Sequence, residues 1–120
     1  MRSKLSAALA GVFLFVVAAP AFAVDVTGEL VDLSCYTKDK VKNVGAEHRE
    51  CAMMCAKMGM TVALVTATGE VYRVAGDLAK DHNARLVRHM GHKVAVQGSL
   101  GIDADGTKTI QGTTIKMVSQ

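Results

Sequence analysis

Every cysteine of the 120-residue chain falls in one stretch, "SCYTKDKVKNVGAEHRECAMMCAKMGM", residues 34–60. It carries Cys35, Cys51 and Cys55, together with His48 and Met53, Met54, Met58 and Met60. Thiolates and an imidazole are the donors that Zn²⁺ and Cu(I) prefer, and thioethers suit Cu(I). The spacing matters as much as the types. On a helix, Cys51 and Cys55 stand four apart on one face, and His48 joins that face one turn earlier. Met54 and Met58 are likewise one turn apart. Cys35 precedes this segment and reaches it if the intervening loop folds back. Cys35, His48, Cys51 and Cys55 then converge as a Cys3His set for a copper or zinc ion.

The same residues allow a second chemistry. Three cysteines permit one internal disulfide and leave one thiol over. A bridge from Cys35 to Cys51 or Cys55 would pin the helix to the rest of a small exported domain, as such domains commonly require. Spacing does not separate the metal from the staple. Thiol-redox catalysis is a poorer fit, because C-x-x-x-C is not the C-x-x-C of thioredoxin-like enzymes. The C-x-x-C-H of covalently attached haem does not occur.

Outside that stretch the chemistry is thin. His82, His89 and His92 form a second histidine cluster; His82 and His89 stand seven apart beside Arg85 and Arg88, which reads as an exposed basic helix face. Asp77 and Asp81 read as cap and surface residues. Asp103 and Asp105 in "IDADG" lack the later ligands and the Glu of an EF-hand loop. No Ser-His-Asp set, phosphate loop or paired carboxylates stand out, so the enzyme classes they mark have no support.

The elements that must position the cysteines emerge from patterning. Residues 1–23 combine Arg2 and Lys4, an apolar run, and "AFA" before Val24, which reads as a cleaved secretory signal peptide. No stable membrane span is expected after its removal. The remaining stretch, 24–120, suits one domain. Without Arg2 and Lys4 the 14 basic residues become 12, against 11 acidic ones. Two tyrosines are then the only aromatic residues, so neither a basic stripe nor a stacking platform for nucleic acid exists. The pattern predicts a strand over 24–36, with a bend at Gly28, and a lysine-rich loop. Next comes a helix over 46–58, stopped by Gly59. Strands over 61–67 and 70–76 form a hairpin. Asp77 caps a helix over 78–90, closed by Gly91. Strands over 92–103 and 107–119 complete the chain, with Ile110, Ile115 and Met117 inward and a bulge near Gly112.

With the segment 35–60 set aside as an insertion, five strands remain, with a helix between the third and fourth. The fold class expected is mainly β with two helices: a five-stranded OB-like barrel carrying an inserted cysteine-bearing helix, although the same element order could also build an open α+β sheet. "GELVDLSCY", "HRECAMMCAKMGMTVALVT", "GEVYRVAGD" and "GHKVAVQGSL" together resemble a group of small exported bacterial proteins. Their pattern is roughly G-x-V-V-D-x-x-C-Y, then H-x-x-C-A-x-x-C-A-x-x-G, then an OB-like barrel. The H-x-x-C-x-x-x-C element, carried by His48, Cys51 and Cys55, is its most specific part. The resemblance covers nearly all of 24–120 and implies the fold and export, and no activity.

Two function classes result. One is a periplasmic or secreted metal-binding protein that holds copper or zinc through Cys35, His48, Cys51 and Cys55. The other is a disulfide-stapled OB-like module that binds a protein of the cell envelope, or a small ligand, on its barrel face.

Overall fold

The computed structural model of the chain describes residues 11–12 and 23–119. Most of the expected signal peptide, 1–23, lies outside the described residues. Five strands form the domain: β1 (Val24–Asp32), β2 (Val62–Val65), β3 (Val71–Ala75), β4 (Lys93–Ile102) and β5 (Lys108–Ser119). They close into a barrel in the order β1-β2-β3-β5-β4. Every pairing is antiparallel except β3 with β5, which run parallel. This is the OB-like topology expected, and closure leaves no free sheet edge.

Closure of so small a barrel requires bends, and glycine supplies them. A Cβ on Gly28 would collide with the Val65 carbonyl oxygen. Gly28 is thus a point of close approach, while β1 keeps its register with β4 through it. At Gly112 a Cβ would stand 2.6 Å from Leu78 Cδ1. Gly98 pairs with Gly112 and Gln97 with Thr114, so Thr113 is the extra residue of a bulge. The bulge falls beside the glycine that the sequence marked.

Leu30, Leu64, Val74, Val94, Val96 and Ile110 fill the barrel interior. Leu78, Leu86 and Met90 close one end from the β3–β4 connection. Ile115 packs half-buried against this core, whereas Met117, expected inward, is exposed. Two short helices lie between β1 and β2. The first, α1, spans Leu33–Lys38; the second, α2, spans Arg49–Lys57 after a 3₁₀ turn at Ala46–His48. Ala52 and Ala56 are four apart on one face of α2 and are both buried in the main core. Their small side chains let the helix backbone approach the barrel closely. Tyr36 of α1 covers a smaller cluster with Val31 and Ala63. No helix among the described residues is long and apolar enough to cross a membrane.

Two expected elements differ. The first strand stops at Asp32 rather than running to Tyr36, because the Asp32 side chain caps α1. The expected helix over 78–90 is broken into a 3₁₀ turn at Gly76–Ala79, a turn at Lys80–Asn83 and a 3₁₀ turn at Val87–His89. Asp77 sits inside the first of these and pairs with Lys80 at 2.6 Å instead of capping a helix. Asp81, His82 and Asn83 have φ of 55°, 53° and 59°, a left-handed turn. Left-handed backbone costs roughly 1–2 kcal/mol per residue, less for Asn and Asp. The cost is offset where Asn83 is buried: its amide donates to Ala56 O at 3.0 Å and Met60 O at 2.9 Å. Those acceptors lie at the C-terminal end of α2, where helix carbonyls lack internal partners.

Candidate metal centre

Asp32 starts the site. Its Oδ1 accepts the Ser34 N–H at 2.9 Å, the Ser34 hydroxyl at 2.9 Å and the Cys35 N–H at 3.3 Å. A short carboxylate that satisfies the second and third N–H groups of a helix is a strong N-cap. It turns the chain out of β1 and sets Cys35 in the first turn of α1. The Asn43 amide then donates to Cys35 O at 2.6 Å, which ties down the loop after α1.

Cys55 arrives from the other side, in the last turn of α2. That turn ends in a Schellman motif: Gly59 has φ of 84°, its N–H donates to Ala56 O, and the Met60 N–H donates to Cys55 O. Glycine is the residue that takes this conformation without strain. The chain leaving α2 is bound to the start of α1 by Leu33 N–H donating to Thr61 O at 3.0 Å. The beginning of α1 and the end of α2 are therefore fixed together. As a result, one carboxylate oxygen of Asp32 and the thiols of Cys35 and Cys55 all lie within 4.8 Å of one another. These three residues could hold a metal ion.

The carboxyl and the thiol of this group are shifted in opposite directions. Asp32 is 1% exposed. Burial raises its carboxyl pKa, but hydrogen bonds from Cys55, Ser34 and Cys35 outweigh it and hold the group below its ordinary range. Cys55 responds in the opposite sense. Its hydrogen bond to Asp32, then burial, then the charge of Asp32 and the neighbouring Cys51 and Cys35 push its pKa up to about 12. No lysine or arginine is among the groups that shift either residue. Asp32 Oδ2 is buried with no partner in full hydrogen-bond geometry, so the thiol contact is a loose one. Hydrogen bonds serve Oδ1, and the partnerless Oδ2 is the atom left to take a cation.

The four residues read from the sequence are thus divided. Cys35 and Cys55 meet, and all three cysteines are free thiols. Cys51 is exposed one turn before Cys55, outside the group but close enough to influence that thiol electrostatically. His48 is half-buried in the 3₁₀ turn ahead of α2, also outside the group, and its Nε2 is buried without a partner. Asp32 was missed because alternation placed it on a strand. Its only signal was its residue type, since Asp is a favoured N-cap but no Glu or Gln follows three residues later to complete a capping box.

The second histidine cluster also differs from expectation. His82, Arg85 and Arg88 are not buried, but His89 is, because the broken helix turns it inward. Its Nε2 accepts from Arg88 Nε at 3.3 Å, and its Nδ1 has no partner. Burial, then Arg88 and His92, lower its pKa. No family model, curated protein or solved structure matches the chain.

Proposed function

We propose that this is an exported metal-binding protein, holding zinc or copper where α1 meets the end of α2. The observation that carries the reading is the buried Asp32 carboxylate gathered with the Cys35 and Cys55 thiols, its Oδ2 without a partner among the described residues. Metal binding replaces the Cys55 proton, and the cation then neutralises the charges that hold that proton in place. One oxygen and two sulfurs suit Zn²⁺, and the thiolate pair alone suits Cu(I). Cys51 supplies a further thiolate by turning toward Cys55 from one turn away. His48 lies ahead of the start of the same helix and contributes least. The signal-like residues before Val24 and the resemblance to exported proteins support a periplasmic or secreted setting.

The test is alkylation with mass spectrometry on protein purified without reductant, before and after a chelator. Cys35 and Cys55 protected until the chelator is added, with a metal ion in the native mass, support the reading. Two cysteines oxidised to a disulfide, with the third free and no metal bound, would replace it with the stapled binding module.

A further inference from the structure

Three methionines are exposed around the C-terminal end of α2. Met54, Met58 and Met60 are 66%, 68% and 39% exposed. Met54, on the outer side of α2, and Met58, its C-cap, lie one helical turn apart, since Ala52 and Ala56 occupy the buried face. The Schellman turn then folds Met60 back past Gly59 toward the helix end. A methionine that serves as core filler is buried, as Met90 is at 0% exposure. These three are not filler.

An imidazole faces the same turn. His82 is exposed, and its ring atoms lie 3.4 to 3.8 Å from where a Cβ on Gly59 would stand. The ring therefore sits over the glycine that separates Met58 from Met60. The left-handed backbone at His82 aims it there, and Asn83 locks that backbone to Ala56 and Met60. An open groove of about 280 Å³ adjoins, with Gly59, Met60, Lys80 and Asn83 among its lining residues.

Thioethers are neutral, soft donors, and a neutral imidazole is a good ligand for copper. A set of two or three thioethers and one imidazole carries no charge, so it selects a monovalent soft cation over a divalent one. We infer that Met58, Met60 and His82, with Met54 one turn back, form a second site, and that its ligand is Cu(I). It uses none of the donors of the Asp32–Cys35–Cys55 group, so the two sites stand or fall separately.

The experiment uses the whole protein carrying ¹³C-methyl methionine, titrated with Ag(I) as a redox-inert stand-in for Cu(I). Single Met→Leu changes assign the methyl signals. The Met58 and Met60 signals should shift with Ag(I) together with the His82 ring signals, and should not move with Zn²⁺. His82→Asn, which tolerates the left-handed backbone, should weaken Ag(I) binding at these methyls at least tenfold. The double change Met58→Leu, Met60→Leu alters exposed positions without changing their volume much, so folding is retained. It should lower the Ag(I) count in the native mass by one while metal protection of Cys35 and Cys55 from alkylation persists. Methyl signals that ignore Ag(I), or an affinity unchanged by His82→Asn, would overturn the inference. Loss of thiol protection with the methyl response intact would instead remove the Asp32–Cys35–Cys55 reading and leave this one standing.

Discussion

Asp32→Asn isolates the charge of the candidate centre from its architecture. Asparagine keeps an oxygen that can accept from Ser34 and Cys35, and it ranks with aspartate as an N-cap. The net change in stability should therefore stay within about 1 kcal/mol. The effect on Cys55 should be large. Its pKa is raised from 9.0 to about 12, with the Asp32 hydrogen bond as the first cause and the Asp32 charge as the third. If the substitution returned the thiol all the way to its ordinary value, the thiolate fraction at pH 8 would rise about 900-fold. A less basic thiolate is also a weaker nucleophile, by roughly 20-fold over this range. The alkylation rate of Cys55 should then rise by up to about 40-fold, with burial holding it somewhat below that ceiling. Site-resolved alkylation rates by mass spectrometry give the answer, with Cys35 and Cys51 as internal controls. A change at Cys55 below about threefold would refute the coupling of carboxylate and thiol. An equal acceleration of all three cysteines, with a lowered melting point, would show that the substitution had loosened the fold instead. Metal affinity should fall by tenfold or more in the same variant, since a charged oxygen donor is lost.

The Asp32 carboxyl is held below its ordinary 3.8, so its contribution to stability is present above that pH and lost as the pH falls through the lower folded value; acid titration of wild type against Asp32→Asn by circular dichroism should show the two curves converge there. His89, buried with its pKa lowered from 6.5, binds its proton more readily unfolded, so stability should decline as the pH drops below about 6.5, and His89→Gln should flatten that slope in urea denaturation. Asn83→Ala removes two hydrogen bonds to the end of α2 and places alanine in left-handed backbone, so it should cost about 2–3 kcal/mol, whereas Asn83→Gly should cost about 1 kcal/mol less in the same assay. Gly112→Ala drives a methyl against Leu78 and should cost about 1–3 kcal/mol, partly recovered by adding Leu78→Val.

The sequence by itself determined five strands and their order along the chain, while closure into a barrel rather than an open sheet was decided by the tertiary structure. Alternating β-branched residues, turn glycines and the position of the β3–β4 connection define five strands in one order, because period-two patterning reports directly which face a residue buries. It determined α2 as well, since Ala, Glu, Met and Lys favour helix and Gly59 ends it. It also brought Cys35 and Cys55 under one suspicion. The tertiary structure decided the composition of the site. Whether Asp32 ends a strand or caps a helix depends on competition between its carboxylate and the sheet ladder for the same N–H groups, and alternation cannot report the winner. The broken helix has a similar origin. Residues 78–90 have helical composition, but Asn83 is drawn to the bare carbonyls of α2, 23 and 27 positions earlier in the chain, and the backbone turns left-handed to deliver it. That same turn buries His89 and sets His82 over Gly59. Local preference amounts to roughly tenths of a kcal/mol per residue, while an unsatisfied buried polar group costs about 1–3 kcal/mol, so contacts remote in sequence chose the backbone that carries the chemistry.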